Sequence, residues 1–291
     1  HCGPFANIAH GNNSIVADRV ALKLGDYMIT ESGFASDLGM EKFMDVVCRV
    51  GHLRPHAVVI VATVRALRHH GGGDYTKKAE LAQMRAEVEK GLANLGKHIE
   101  NVRHFGIEAI VAINTRPDDE PELLELIKER AVAAGARSAA VHNGFGIGGD
   151  GVTELAELVI DACEQPTDFR YLYEDADPIA TKIEKIAKAM YGADGVDISP
   201  VAQAAIARYE KQGIAHFPIC MAKSHLSLSH DPLLRNRPTG FTVPIRDVRA
   251  YTGAGMLVPL CGEMLQMPGF GAAPAAFNID LDDDGNIVGL F

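Results

Sequence analysis

The run Ala57–Val64 (AVVIVATV) constrains this chain more than any other segment. It is β-branched and apolar on both faces, and it is bounded by Pro55 and Arg65. A strand that is greasy on both sides belongs inside a sheet covered by helices above and below, so it reads as a central strand of a parallel sheet. Its surroundings agree. Helical patterns run over Ser14–Leu24 and Asp37–Val47, with a short extended run at Tyr27–Thr30 between them. A long amphipathic helix follows over Lys77–His104, then a second buried strand at Ala109–Ile113. A helix begins near Pro121 behind the acidic residues Asp118, Asp119 and Glu120, and Ser138–His142 reads as another strand. Strand–helix alternation of this kind predicts an α/β fold built from βαβ units.

After about residue 192 the pattern changes. Ala202–Gln212 is helical, and seven prolines from Pro218 to Pro274 punctuate short β-like runs, among them Gly240–Val248 and Met256–Leu260. These predict a smaller mixed unit. Soft boundaries near 105 and 192 divide the chain into 1–105, 106–192 and 193–291.

Charge narrows the function. Lys and Arg number 28 against 38 Asp and Glu, a formal net charge of −10, with no basic block. A phosphate-backbone groove needs a broad positive surface, so nucleic acid is not an expected partner. No stretch reaches the roughly 18 apolar residues of a membrane span, so no membrane is expected either. Five widely spaced cysteines fit reduced thiols in a cytoplasmic protein. Residue 1 is His, so this start reflects processing, truncation or a chosen boundary.

Three motifs are misleading. Gly91-x4-Gly96-Lys97-His98 nearly matches a phosphate-binding loop, but it lacks the Ser or Thr after Lys and continues the helical face of AELAQMRAEVEK. Asp280-x-Asp282-x-Asp284-Gly285 copies half a calcium loop, yet its twelfth position is Phe291. A turn between two short strands explains it better. Twelve histidines form no HExxH or Cys/His cluster, so no metal site is expected.

Two loops follow expected strands, where open parallel sheets bind ligands. In Glu31–Phe43 (ESGFASDLGMEKF), Asp37 and Glu41 lie one helical turn apart and repel unless a cation sits near. The alternative is an N-cap at Asp37 and a solvated Glu41. In Arg65–Gly72 (RALRHHGG), Arg65 and Arg68 are placed to clamp phosphate, carboxylate or an acidic ligand tail, or are ordinary surface cations. The glycine-rich stretch Gly144–Gly151 (GFGIGGDG) offers backbone N–H groups ahead of a helix, or is a connector. Phe145 within it has few neighbours and is free to stack on a flat ligand.

At these loops the chain becomes recognisable. HCGPFANIAHGNNS (1–14), TESGFASDLGMEKF (30–43), VATVRALRHHGG (61–72), KHIENVRHFG (97–106) and VAIN (111–114) closely resemble formate–tetrahydrofolate ligases. MAKSHLSLSHDP (221–232), RPTGFTVPIRDVR (237–249) and NIDLDDDGNIVGLF (278–291) continue the likeness in collinear order. The chain resembles the C-terminal half of such an enzyme, whose P-loop would lie in an N-terminal half absent here.

The resemblance implies part of a P-loop-type parallel-sheet nucleotide domain followed by two smaller mixed α/β domains. It implies ATP-dependent phosphorylation of formate to formyl phosphate, followed by attack of the N10 of tetrahydrofolate. The implied ligands are ATP with Mg2+, tetrahydrofolate as substrate, and room for a monovalent cation. The implied partners are these small molecules, further copies in a homo-oligomer, and the missing half. By the same likeness His1 and Arg65 lie near substrate, while Asp37, Glu41 and Lys42 order the site. Phe145 and Arg116 flank the pterin, with Asn114, Gly148 and Gly149 beside them. Two departures fall there. The family commonly has Asn-x-Phe-Pro where this chain has Asn114-Thr115-Arg116-Pro117, and Trp-Ala-Lys/Asp-Gly-Gly where it has Phe145-Gly146-Ile147-Gly148-Gly149. A guanidinium plane can lie flat on a ring, and Phe stacks with less area than Trp. The competing reading is a non-catalytic, diverged paralogue or fragment that binds a pterin-like or nucleotide-like ligand.

Overall fold

The computed structural model describes residues 8–262, 272–283, 285 and 287–289. Its first sheet is parallel, in the order β1 (Ala57–Ala62), β2 (Glu108–Asn114), β3 (Ser138–His142). Helices α3 (Val64–His70) and α4 (Leu81–His104) connect β1 to β2, and α5 (Pro121–Ala133) connects β2 to β3. α4 starts at Leu81 rather than Lys77, because Asp74 first closes a turn onto the Thr76 N–H and hydroxyl. The pairing of β1 with β2 carries one sheet across position 105.

Within the described residues β1 stands at one side of this sheet. Among the described residues β1 pairs only with β2 and leaves Val59 and Val61 exposed, whereas Ala109–Ile113 of β2 are buried on both faces. A both-face apolar pattern reports what can be covered, and neighbours decide what is.

After β3 come two short helical turns, α6 (Gly144–Ile147) and a 3-10 turn at Gly148–Val152, then α7 (Thr153–Cys163). Helix α8 (Ile179–Ile186) presents Ile179, Ile183 and Ile186 at helical spacing and is followed by a π-helical turn, Ala187–Tyr191. The second sheet is mixed. β4 (Gly195–Ile198) runs parallel to β5 (Thr242–Tyr251), and β5 runs antiparallel to β6 (Met256–Cys261), with α9 (Pro200–Lys211) against β5. One hydrophobic core runs from the first sheet through Tyr173 and Tyr191 into the second. β7 (Asp280–Leu281) and β8 (Ile287–Val288) pair antiparallel, the two short strands expected around the calcium-like string.

The N-terminal part departs most from its pattern. α1 (Ile15–Leu24) forms behind its N-cap Ser14, but Tyr27–Thr30 is in no strand. The helical segment expected at Asp37–Val47 forms, but as two π-helical turns, Ser36–Met40 and Phe43–Cys48, ending in α2 (Arg49–Gly51). Every residue from Ser36 to Cys48 is buried. A helix covered on all sides must take its polar residues inside with it.

Candidate active site

The first element of the site is the carboxyl edge of the parallel sheet, where the loops after β1, β2 and β3 emerge side by side. The segment after β1 is not a loop: Thr63 caps α3 by accepting from the Ala66 N–H, and Arg65 sits in its first turn. The Arg65 guanidinium meets Asp118, in the turn after β2, at 3.0 Å. That hydrogen bond, above all, holds the Asp118 carboxyl below its ordinary range. Asn114 ends β2 and pairs with His142 at the end of β3, and the Thr115 N–H donates to the His142 carbonyl. Arg116 is exposed, with its backbone N–H on the Asp119 carboxylate at 2.8 Å.

Phe145 projects almost wholly into solvent, at 99% exposure. Gly148 has a positive φ of 70°, and a side chain on Gly148 or Gly149 would meet open space. The glycine stretch is held by its own hydrogen bonds. The Gly146 N–H donates to the Asn143 side-chain oxygen, and the Asn143 N–H donates to the Gly151 carbonyl. Two helical turns therefore present Phe145 from a closed frame.

The second element is a buried charged centre. Gly33, Phe34 and Ala35 make a tight reversal in which Phe34 and Ala35 both take positive φ, 58° and 61°. Ala35, with ψ −174°, occupies a region normally left to glycine. The reversal delivers Asp37 to Lys223, carboxylate to ammonium at 2.9 Å, both buried. Asp37 is therefore no N-cap. The Lys223 ammonium also donates to the carbonyls of Ser224, Ser227 and Ser229 and lies 5.0 Å from the Tyr191 ring centre. Outside this pair, Phe34 stacks on His225 with centroids 4.5 Å apart.

Glu41 is fully buried against the Asp45 carboxyl, and the two can hydrogen-bond only when one of them holds a proton. Burial raises its pKa well above the ordinary carboxylate range, and the Asp45 charge adds to this. The solvated-Glu alternative is thereby corrected. The Lys42 ammonium, also buried, donates to the Ala9 carbonyl at 3.0 Å. On the α4 side, Ser36 and His98 share a 2.6 Å hydrogen bond, and the Asn101 amide donates to the Ser36 hydroxyl and the Met190 carbonyl. Burial depresses the His98 pKa, favouring the neutral ring.

The structure thus gathers Asp37, Glu41 and Lys42 in one interior, and Arg65, Asn114, Arg116, Phe145, Gly148 and Gly149 along one sheet edge. His1 lies outside the described residues. Arg68 does not reach the edge, because it is buried in an ion pair with Glu87 at 2.7 Å. The phosphate-loop look-alike lies in the middle of α4, with Lys97 bonded to the Ala189 carbonyl and Glu100. Sequence reasoning missed Lys223, Ser36 and His98 as members of the centre. One signal was present: Lys223 is the only Lys or Arg between Lys211 and Arg235, and it follows the apolar run Ile219–Ala222.

Among the described residues, no three His, Cys, Asp or Glu side chains converge into a set able to hold a metal ion. The four described cysteines, Cys48, Cys163, Cys220 and Cys261, are free thiols. No helix among the described residues is long and apolar enough to cross a membrane.

The whole sequence matches one family of known proteins. The family model described as formate–tetrahydrofolate ligase matches residues 1–291. A formate–tetrahydrofolate ligase of Desulforamulus reducens is 49% identical over 297 residues, covering all of this chain and 52% of the relative. One from Cutibacterium acnes is 48% identical, again over all of this chain and 53% of the relative. The cytoplasmic C-1-tetrahydrofolate synthase of Schizosaccharomyces pombe is 48% identical over 309 residues, 33% of its length. The chain spans about half the length of the bacterial relatives it matches.

Proposed function

The chain belongs to the formate–tetrahydrofolate ligase family, and from that premise we propose that it supplies the folate side, and part of the formyl-phosphate side, of an ATP-dependent ligation of formate to tetrahydrofolate. In this reaction a formate oxygen takes the γ-phosphoryl group of ATP, giving formyl phosphate and ADP. The N10 amine of tetrahydrofolate then attacks the formyl carbon, the carbon–oxygen bond breaks, and phosphate leaves with the product 10-formyltetrahydrofolate. The acyl-phosphate step builds negative charge on the transferring group, so it needs fixed positive charge nearby. Arg65 stands at the sheet edge for that task, and the P-loop lysine and Mg2+ would come from a nucleotide-binding half outside these 291 residues. Phe145 and Arg116 would hold the pterin between a ring and a guanidinium plane, with Asn114, Gly148 and Gly149 shaping the cleft. Asp37, Glu41 and Lys42 order the interior beneath it. We place the protein in the cytoplasm as a homo-oligomer, with a monovalent cation as a further ligand.

The observation that carries this reading is the convergence of three successive sheet-edge segments. Arg65 and Asp118 are tied across two of them, and Phe145 is presented bare on the third. The test is a graft. This chain replaces the matching segment of the Desulforamulus reducens relative, and ADP formation is measured with and without formate and tetrahydrofolate. Turnover that needs both substrates supports the ligase. The chain alone, which has no usable P-loop sequence, should show none. A soluble, folded graft with no such turnover, yet with folate binding retained, would favour the non-catalytic reading. The observation on that side is Arg116 standing where the family commonly has Phe.

A further inference from the structure

Four oxygens converge on one buried ammonium. Lys223 has no solvent exposure, and its Nζ lies 2.9 Å from Asp37 Oδ2. It also lies 2.8, 2.5 and 3.3 Å from the carbonyl oxygens of Ser224, Ser227 and Ser229. The Tyr191 ring closes another side at 5.0 Å. Residues 224–231 contain neither strand nor helix. Their carbonyls have no ladder to satisfy them, yet buried carbonyls need donors. Hydroxyls fix part of the loop: Ser227 accepts from the Ser229 N–H, and Ser229 accepts from the Asp231 N–H. Three of the remaining carbonyls point inward at a single donor. A set of backbone oxygens plus one carboxylate around a single positive charge is the coordination that a free ammonium or alkali ion takes; here the charge arrives on a side chain.

We propose that Lys223 is a positioning residue whose tethered ammonium is the fixed cation of this cage. It wraps the 224–231 loop around itself and, through Asp37, holds the strained 33–37 reversal in place for the reaction. The cage itself follows from geometry alone, and only its effect on turnover rests on the ligase reading. Asp37, on one segment, and the Ser224, Ser227 and Ser229 carbonyls, on another, are brought to register by the same ammonium. Lys223 touches no sheet-edge residue among its bonded neighbours, so its effect on catalysis is indirect.

The test is chemical replacement of the missing cation. Lys223→Ala removes three carbons and the ammonium, a void shaped like n-propylammonium. In the 291-residue chain this change should lower Tm by about 8 °C or more, as loss of one partner of a buried charge pair does. Added n-propylammonium chloride should return several degrees to the variant and none to the parent, because only the variant has the site to fill. Neutral 1-propanol should return much less. Equal recovery with 1-propanol, or none with either, overturns the cage. Should Lys223→Ala fail to fold, Lys223→Met keeps the stem and removes the donors. It should then raise amide exchange selectively over 224–231, and parent-like exchange and Tm would overturn the proposal. In the grafted ligase, Lys223→Met should lower kcat about tenfold or more while the formate and folate KM values move less than about threefold. An inactive graft of the parent sequence would sink the ligase reading, and the thermal and exchange results would still decide the cage.

Discussion

Gly91 of α4 and Gly71 at the end of α3 meet backbone to backbone. A Cβ built on Gly91 would lie 1.9 Å from the Leu67 carbonyl oxygen and 3.1 Å from the Gly71 nitrogen; one on Gly71 would lie 1.8 Å from the Glu87 carbonyl oxygen. The two helices cross where neither carries a side chain. The glycine of the phosphate-loop look-alike is thus a packing glycine. Gly91→Ala should destabilise the fold by about 3 kcal/mol, since backbone cannot yield as a side chain can. Gly96, five residues on in the same helix, would meet nothing closer than the Ala134 Cβ at 3.9 Å. Gly96→Ala should therefore stabilise by roughly 0.5–1 kcal/mol through helix propensity. Denaturant midpoints of the two variants check this, and opposite signs are the expected outcome.

Strain at Ala35 is testable in the same way. Its φ of 61° with ψ −174° places a Cβ where glycine alone is comfortable. Ala35→Gly relieves that cost against a smaller loss from glycine's extra freedom in the unfolded chain. A net gain of about 1 kcal/mol is expected, read as a raised urea midpoint. A lowered midpoint would mean that the reversal is comfortable as it stands.

The buried carboxyls set a pH dependence. Burial pushes Glu41 well above the ordinary carboxylate range and raises Asp45 to about 7, against the pull of the Leu172 N–H and Arg49. A carboxyl raised on folding holds its proton better in the native state. Its contribution is complete below the unfolded value of about 4 and is lost as pH rises through the folded one. His70, held near 4 by burial, and His98 act with the opposite sign at acid pH. Comparison with Glu41→Gln cancels them. The parent should lose stability relative to Glu41→Gln between pH 5 and pH 8, followed by urea unfolding at each unit. A constant difference would show that Glu41 does not carry a proton at pH 5.

Arg65 separates stability from turnover. Its pair with Asp118 is solvent-exposed, at 38% and 66% for the two side chains. Such pairs contribute about 1 kcal/mol or less, so Arg65→Ala should barely move Tm. In the grafted ligase it should lower kcat/KM at least about tenfold, or about 1.4 kcal/mol of transition-state stabilisation. Unchanged kinetics would return Arg65 to an ordinary surface ion pair.

Phe145 offers the cleanest ligand test, because at 99% exposure it contributes nothing to the core. Phe145→Ala should leave Tm unchanged and raise the folate KM several-fold, in line with roughly 0.5–1.5 kcal/mol for one aromatic stack. The ATP KM should move less. Phe145→Trp should match or improve folate binding, and Arg116→Phe should act in the same direction. Folate kinetics untouched by Phe145→Ala would reduce the α6 turn to a connector.

The sequence by itself determined the alternation of strand and helix, the buried run of β2, the mixed second sheet and the family. Each of these is written in local periodicity or in contiguous strings. The sheet-edge candidates were legible for the same reason: Arg65, Arg116 and Phe145 follow strands that announce themselves, and Asn114 ends one. Only the tertiary structure decided which charges are inside. Glu41 and Arg68 sit in helical segments with polar neighbours and look solvated when read locally. Glu41 is buried because the whole turn Ser36–Cys48 is covered on every side by residues remote in sequence. Arg68 is drawn inward by Glu87 across the glycine crossing. Lys223 and Asp37 stand 186 positions apart by their numbers (223 − 37), and no pattern in either segment specifies the other. Desolvation is a property of the assembled surroundings, so a charge's role in the interior is set only once distant segments have closed over it.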